Sequence, residues 1–230
     1  MYIKMKTTLI IPAYNEDPKI LKQIVKKSKK YVDKIIIIDD GSSKNIKIDC
    51  TIIKNIKNKG KGFSIRKAIK FVGKSDIIIF MDADNEHDPK DLPKFLNKFK
   101  SNKFQGLVIG KRRQYRSPLR KILNNWMNFW IGFIIKKADF SCGFRAIDIS
   151  SLKKFNLKSN RFEIDLEMIL ESYLNKIKIV SIDINHKPVK KSHVKFIDYI
   201  KLNNFFDRWI LKNHSKLNIP LLKKSLKGKK

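Results

Sequence analysis

The chain has 230 residues, 42% hydrophobic and 32% charged, and its 52 Lys+Arg against 21 Asp+Glu leave a net charge of +31. This composition excludes a disordered polymer, and the length suffices for one large domain with its own core. Two distant cysteines without zinc spacing, Cys50 and Cys142, exclude a disulfide framework or a cysteine-built metal centre and fit a reducing compartment.

The N-terminus MYIKMKTTLIIPAY carries no h-region before its first strand, so no signal peptide is expected. TTLIIP (7–12) reads as a buried strand. Asp17-Pro18 then supplies an N-cap and a first-turn proline for a helix running to about Lys30. KIIIID (34–39) and TIIKN (51–55) are strands, GKGFSIRKAIKFV (60–72) a helix, and DIIIFMD (76–82) a fourth strand. A helix follows from about Asp91 to Lys100, then a strand at GLVIG (106–110). The second half is less regular, with a helix candidate at 117–139, a loop at DFSCGFR (139–145) and a helix at FEIDLEMILESYL (162–174). A strand at IKIVSIDI (177–184) and an amphipathic stretch at 194–212 complete it. Strands alternate with helices and read as continuous apolar runs, which predicts an α/β, Rossmann-like, mostly parallel sheet flanked by helices. One domain over 1–215 and a basic tail over 216–230 are expected.

In such sheets ligands sit outside the carboxyl ends of the strands. Three of these ends are acidic: Tyr14-Asn15-Glu16, Asp39-Asp40-Gly41-Ser42 and Asp82-Ala83-Asp84. An isolated D-x-D more often marks a solvated turn before a helix, but the buried strand ahead of it and the two other acidic ends favour a site here. Hard carboxylate oxygens suit Mg²⁺ or Mn²⁺, which take remaining ligands from water and substrate phosphates. Asp39 or Asp40 can accept from a base or ribose, although DDGSS also reads as an Asx-type turn. NKGKG (58–62) can bring backbone N–H groups to a phosphate but lacks the P-loop pattern. The charge points to a polyanionic partner, and most lysines read as solvated faces. The chain has only eight arginines, and four of them (Arg112, Arg113, Arg116, Arg120) fall within nine residues, as forked anion contacts require.

IIPAYNE, IIIIDDGSS, NKGKG and FMDADNEHDP, in this order and spacing, resemble the inverting GT-A glycosyltransferases that use nucleotide sugars. IGKRR, DFSCGFRA and FEIDLEM are similar to the dolichol-phosphate mannose synthase (polyprenyl-phosphate glycosyltransferase) branch. The resemblance spans about residues 6–190. It implies the GT-A fold, a donor pocket lined by Pro12, Tyr14, Glu16, Asp39 and Asp82, and a metal motif of Asp82, Asp84 and Glu86, where the branch usually has Gln in place of Glu86. It implies an acceptor phosphate held by Arg112, Arg120 and Arg145, with Asp82, Asp84, Arg112 and Arg120 as the catalytic set. Asp82 is left open as a ligand, a sugar-hydroxyl acceptor or a base. Lys187 stands where the branch's late arginine is expected. The implied partners are a nucleotide-sugar donor (GDP-mannose or a UDP-hexose) and a polyprenyl or dolichyl phosphate, with mannose the family expectation.

Leu119 to Ile134 recur at helical spacing between basic flanks, yet the dense apolar part is about ten residues where about 20 are needed to span a bilayer. Trp126, Phe129, Trp130 and Phe133 therefore read as an interfacial face, with 196–211 a second amphipathic candidate. The expected location is peripheral, on an anionic membrane surface at the cytoplasmic face. No helix-turn-helix, RNP or zinc pattern appears, so nucleic acid is not an expected partner. A non-lipid glycan acceptor and an inactive relative used for binding are the alternatives.

Overall fold

The computed structural model describes residues 5–101, 104–112, 139–187 and 196–216. The N-terminal half runs β1 (Thr7–Ala13), α1 (Pro18–Ser28), β2 (Lys34–Asp39), β3 (Thr51–Lys54), α2 (Lys61–Ile69) and β4 (Ile77–Phe80). A 3-10 turn (Pro89–Asp91), α3 (Leu92–Ser101) and β5 (Leu107–Arg112) follow. Beyond these lie β6 (Arg145–Asp148), α4 (Ile149–Leu152), α5 (Glu163–Leu174), β7 (Ile179–Ile184) and α6 (Phe196–Asn213).

All seven strands join one sheet in the order β3-β2-β1-β4-β6-β5-β7. The pairs β1/β2, β2/β3, β1/β4 and β5/β7 are parallel, while β6 runs antiparallel between β4 and β5. The isoleucine runs of β2 and β4 are buried, as are Leu9, Ile10 and Ile11 of β1, because helices cover both faces. Each such side chain contributes about 1.5–3 kcal/mol of burial. Strand β6 begins at Arg145, where the expected loop ends, in a stretch for which no element was expected. It has four residues with a charge at each end, too short and too polar-ended to show a period of two.

Strand order reverses at β1, with β2 and β3 on one side and β4 on the other, so the carboxyl ends of β1, β2 and β4 open one crevice. β5 runs in the same sense as β4, which brings Arg112 to the same edge. Asp17 caps α1 by accepting from Lys19 N at 2.8 Å, with Pro18 at the first helical position. Asp88, not Asp91, caps the turn before α3. The Asp91 carboxylate instead accepts from Asn185 N at 2.6 Å and ties this turn to the chain after β7.

The aromatic side of α6 faces inward: Phe206 and Trp209 are each 8% exposed and belong to the core. Phe206 and Trp209 pack the protein rather than lipid, so the interfacial reading of 196–211 does not hold for these two aromatics. The outer arc carries Ile197, Ile200 and Leu211 (49%, 41% and 71% exposed), with Lys201, Arg208 and Lys212 at helical spacing around them. Arg120, Trp126, Phe129, Trp130, Phe133 and the basic tail lie outside the described residues.

The start of α2 meets the segment before α5 at backbone contact. A Cβ on Gly62 would lie 2.4 Å from Ser159 O, and one on Gly60 2.2 Å from Asn160 O. This closeness lets Phe63 N donate to Asn160 O at 3.0 Å and Arg66 Nε to Ser159 O at 3.2 Å. Gly62→Ala should therefore destabilise the protein by about 1–3 kcal/mol through overpacking. Urea unfolding measures it, and an unchanged midpoint contradicts the close approach.

Candidate active site

A cavity of about 310 Å³ opens at the carboxyl edge of the sheet, within the range of small-ligand sites. It is lined by Pro12, Ala13, Tyr14 and Glu16 after β1, by Asp40 after β2, and by Asp82, Ala83, Asp84 and Glu86 after β4. Asn58, Gly60 and Lys61 close one flank, Arg112 and Ser141 another, and Arg161, Phe162 and Asp165 a third.

The first two strand ends are locked together. Asn15, at a φ of 55°, donates its N–H to Ser42 Oγ at 2.8 Å, and its side-chain oxygen accepts from Ser43 N at 3.0 Å. Asp39 is 1% exposed and accepts from Ser42 N at 2.9 Å, the Asx-type turn. It is not among the cavity-lining residues, whereas Asp40 is. Asp40 in turn accepts from Asn55 Nδ2, Lys59 N and Gly60 N at 2.7, 3.0 and 2.7 Å. Of the N–H groups of NKGKG read as a phosphate cradle, those of Lys59 and Gly60 are committed to Asp40, and Phe63, just after the motif, donates to Asn160 O. The glycines serve a protein–protein contact within the chain.

At the end of β4 the Asp82 carboxylate meets Lys61 Nζ at 2.7 Å, and the same ammonium meets Asp165 of α5 at 2.7 Å. Gly143, the glycine of DFSCGFR, leaves room for this carboxylate, since a Cβ there would lie 2.1 Å from Asp82 Oδ2. Burial alone pushes the Asp82 carboxyl up, but Lys61, and then His87, hold it far below the usual carboxylate range. Burial lowers Lys61 while Asp165 and Asp82 raise it, and the net shift is upward. Lys61 and Asp82 therefore stay charged at neutral pH. Glu16 shifts the other way, pushed up by burial and then by the charge of Asp82.

Glu86, 4% exposed, turns to His186 Nε2 at 3.1 Å and lies 4.0 Å from Arg112 Nη1. Among the described residues no group of three His, Cys, Asp or Glu side chains is arranged to hold a metal ion. The trio Asp82, Asp84 and Glu86 is therefore not assembled as a ligand set. Asp82 and Asp84, both lining the cavity and with Asp82 held ionised, fit a hard divalent ion that draws its other ligands from water and a bound phosphate.

Arg112 is 7% exposed and makes a forked pair with Asp139, Nε to Oδ2 at 2.8 Å and Nη2 to Oδ1 at 3.0 Å, with Ser141 Oγ as a further partner. Burial raises the Asp139 carboxyl, but Arg112 more than offsets this and leaves it lowered. Arg145 is wholly buried and donates to the carbonyls of Cys142 (2.7 Å), Phe140 (2.6 Å) and Asp165. It braces the wall behind the cavity and is not among the lining residues. Cys142 is buried, its thiol pushed up to about 12 by burial, and does not act as a nucleophile.

Sequence reasoning missed Lys61, Asp165, Arg161 and Phe162. Lys61 stood inside the glycine motif read for its backbone, and Asp165 inside FEIDLEM, read only as part of a helix and for its family likeness. Glu167 of the same motif is 5% exposed and accepts from Lys158 N at 2.9 Å and Ser159 N at 3.0 Å. It folds the segment that delivers Arg161 and Phe162 to the cavity.

The model of glycosyl transferase family 2 matches residues 8–160. An uncharacterised protein of Methanocaldococcus jannaschii is 34% identical over 170 residues, 63% of this chain and 72% of that protein. A UDP-N-acetylglucosamine–dolichyl-phosphate N-acetylglucosaminyltransferase of Methanococcus voltae is 30% identical over 211 residues, 76% of this chain and 83% of that protein. A dolichyl-phosphate beta-glucosyltransferase of Trichomonas vaginalis is 26% identical, covering 85% of this chain and 70% of its own. Among solved structures, glucosyl-3-phosphoglycerate synthase of Mycobacterium tuberculosis with Mg²⁺ and UDP superposes with a TM-score of 0.72. That match covers 94% of this chain and 80% of the other at 15% identity, a likeness of fold.

Lys61→Met should cost about 2 kcal/mol at neutral pH, between the values for exposed and buried pairs, because water reaches Asp82 (29% exposed). Asp82 is depressed in the folded state, so its contribution is present above the unfolded carboxyl range of about 4 and is lost as pH falls through and below it. The gap between wild type and variant should therefore shrink from pH 7 to pH 3. Urea midpoints at both values check it, and an equal gap contradicts the ion-pair account.

Proposed function

The chain belongs to glycosyl transferase family 2, and from that premise we propose that it moves a sugar from a nucleotide-sugar donor to the phosphate of a polyprenyl or dolichyl lipid. The observation that carries this reading is the convergence of three strand ends on one cavity, with ionised Asp82 beside Asp84 on one wall and Arg112 and Arg161 on others. The relatives named for N-acetylglucosamine and glucose transfer to dolichyl phosphate support a lipid phosphate as acceptor. They also move the donor reading from GDP-mannose toward a UDP-hexose.

In the proposed reaction an oxygen of the acceptor phosphate attacks the anomeric carbon opposite the donor diphosphate. One C–O bond forms, the bond to the diphosphate breaks, and the configuration inverts. A phosphate is already ionised near neutral pH, so no side chain has to remove a proton, and positioning and electrostatics carry the rate. Asp84 with Asp82 would hold Mg²⁺ or Mn²⁺, whose chemistry there is to offset charge on the departing diphosphate. Lys61 keeps Asp82 ionised and aimed. Glu86 keeps company with Arg112 and His186, so its part is to place the arginine. Tyr14, Glu16 and Asp40 shape the end of the cavity under β1 and β2, where the nucleoside would lie.

No described helix is long and apolar enough to cross a membrane. We place the encounter with the lipid at an anionic membrane surface on the cytoplasmic side. The exposed aliphatic and basic outer arc of α6 supports this.

With a radiolabelled UDP-hexose, Mg²⁺ and a polyprenyl phosphate, label should pass into organic solvent. Asp84→Ala should lower the rate by at least ~10²-fold and abolish the response to added Mg²⁺. Near wild-type turnover of that variant in chelator contradicts the metal role. Label retained in water on a glycan favours a hydroxyl acceptor instead.

A further inference from the structure

Six carboxylates line the cavity (Glu16, Asp40, Asp82, Asp84, Glu86 and Asp165) against three cations, Lys61, Arg112 and Arg161. Any phosphate-bearing substrate entering this space meets a net negative wall, so the state of the three cations decides where it can bind. Lys61 is spent on Asp82 and Asp165. Arg112 is spent on Asp139 and Ser141. Arg161 differs: its side chain is exposed, and among the described residues no carboxylate, carbonyl or hydroxyl engages its guanidinium.

The other described arginines all have partners. Arg66 binds Ser159 O and Asn160, Arg145 binds three carbonyls, and Arg208 binds Asn204 O. Only eight of the 52 basic residues are arginine, and this one is placed with care. Its backbone follows the segment whose N–H groups at Lys158 and Ser159 are held by buried Glu167. The carbonyls of Ser159 and Asn160 in the same segment anchor the start of α2. Its stem lies against Gly60, whose absent Cβ would sit 3.0 Å from Arg161 Cγ. The backbone is rigid and the charged head is left uncommitted, as in a group built to meet a ligand.

We propose that Arg161 is the guanidinium that receives a substrate phosphate in this cavity. A planar fork with five donors presents two parallel N–H groups to two phosphate oxygens, a fixed geometry that an ammonium lacks. Two phosphates are candidates under the proposed function, the acceptor's monoester and the donor's diphosphate, and the inference rests on that reading.

Calorimetric titration of the full chain in Mg²⁺ with UDP and, separately, with farnesyl phosphate tests it. Arg161→Ala should weaken at least one of the two by about tenfold or more, and Arg161→Lys should restore only part of the loss. Loss for farnesyl phosphate alone assigns Arg161 to the acceptor, and loss for UDP alone assigns it to the donor. Wild type binding UDP but not farnesyl phosphate sinks the lipid-phosphate acceptor and leaves Arg161 to be judged on UDP. If every affinity the wild type shows stays within twofold in Arg161→Ala, or the wild type binds neither probe, the inference is overturned.

Discussion

The Lys61 ammonium between Asp82 and Asp165 is the constraint on which the site depends. One positive charge joins the first turn of α2 and the end of β4, which follow one another in the chain, to Asp165 in the first turn of α5, 104 residues beyond Lys61. Without it two carboxylates would face each other with no cation between them, an arrangement that like charge disfavours. With it Asp82 stays ionised and keeps a fixed direction toward the cavity. Neighbouring features follow from the same joint. Gly143 leaves space for the Asp82 carboxylate, Arg145 binds the Asp165 carbonyl from behind, and Gly60 and Gly62 bring α2 close enough for Lys61 to reach.

This joint also explains why so basic a chain gathers acid at one sheet edge. Carboxylates crowded together are tolerated where each has a cation or backbone N–H groups of its own. Asp40 has two N–H donors and an amide, Asp139 has a guanidinium fork, and Glu167 has two consecutive N–H groups. The acids therefore act as organisers of loops as much as prospective ligands. Removing any one partner leaves a carboxylate uncompensated, which destabilises the wall it organises.

Much of the fold was legible because β1, β2 and β4 are nearly unbroken aliphatic runs and α1 opens on Asp17-Pro18. Strand β6 was not, since Arg145 and Asp148 at its ends hide two apolar residues. In the site, the clustering of Tyr14, Glu16, Asp82, Asp84 and Glu86 could be read from strand ends, because parallel strands bring those ends to one edge. What each group does could not. Glu86 looks like a ligand in D-x-D-x-E, yet in space it answers to Arg112 and His186. Asp39 and Asp40 are adjacent in sequence, and only the turn geometry decides that Asp40 faces the cavity. Lys61 was concealed by abundance, one lysine in a chain full of them, and its meaning appears only when Asp165 arrives from about a hundred residues away.

The central claim is that this cavity turns a phosphate monoester into a sugar phosphodiester at the expense of a nucleotide sugar. Phosphorus NMR of the full chain with Mg²⁺, a UDP-hexose and farnesyl phosphate observes both partners at once. The account predicts that the monoester signal gives way to a phosphodiester signal as nucleoside diphosphate appears in equal amount. Release of nucleoside diphosphate while the monoester signal stays unchanged would contradict it.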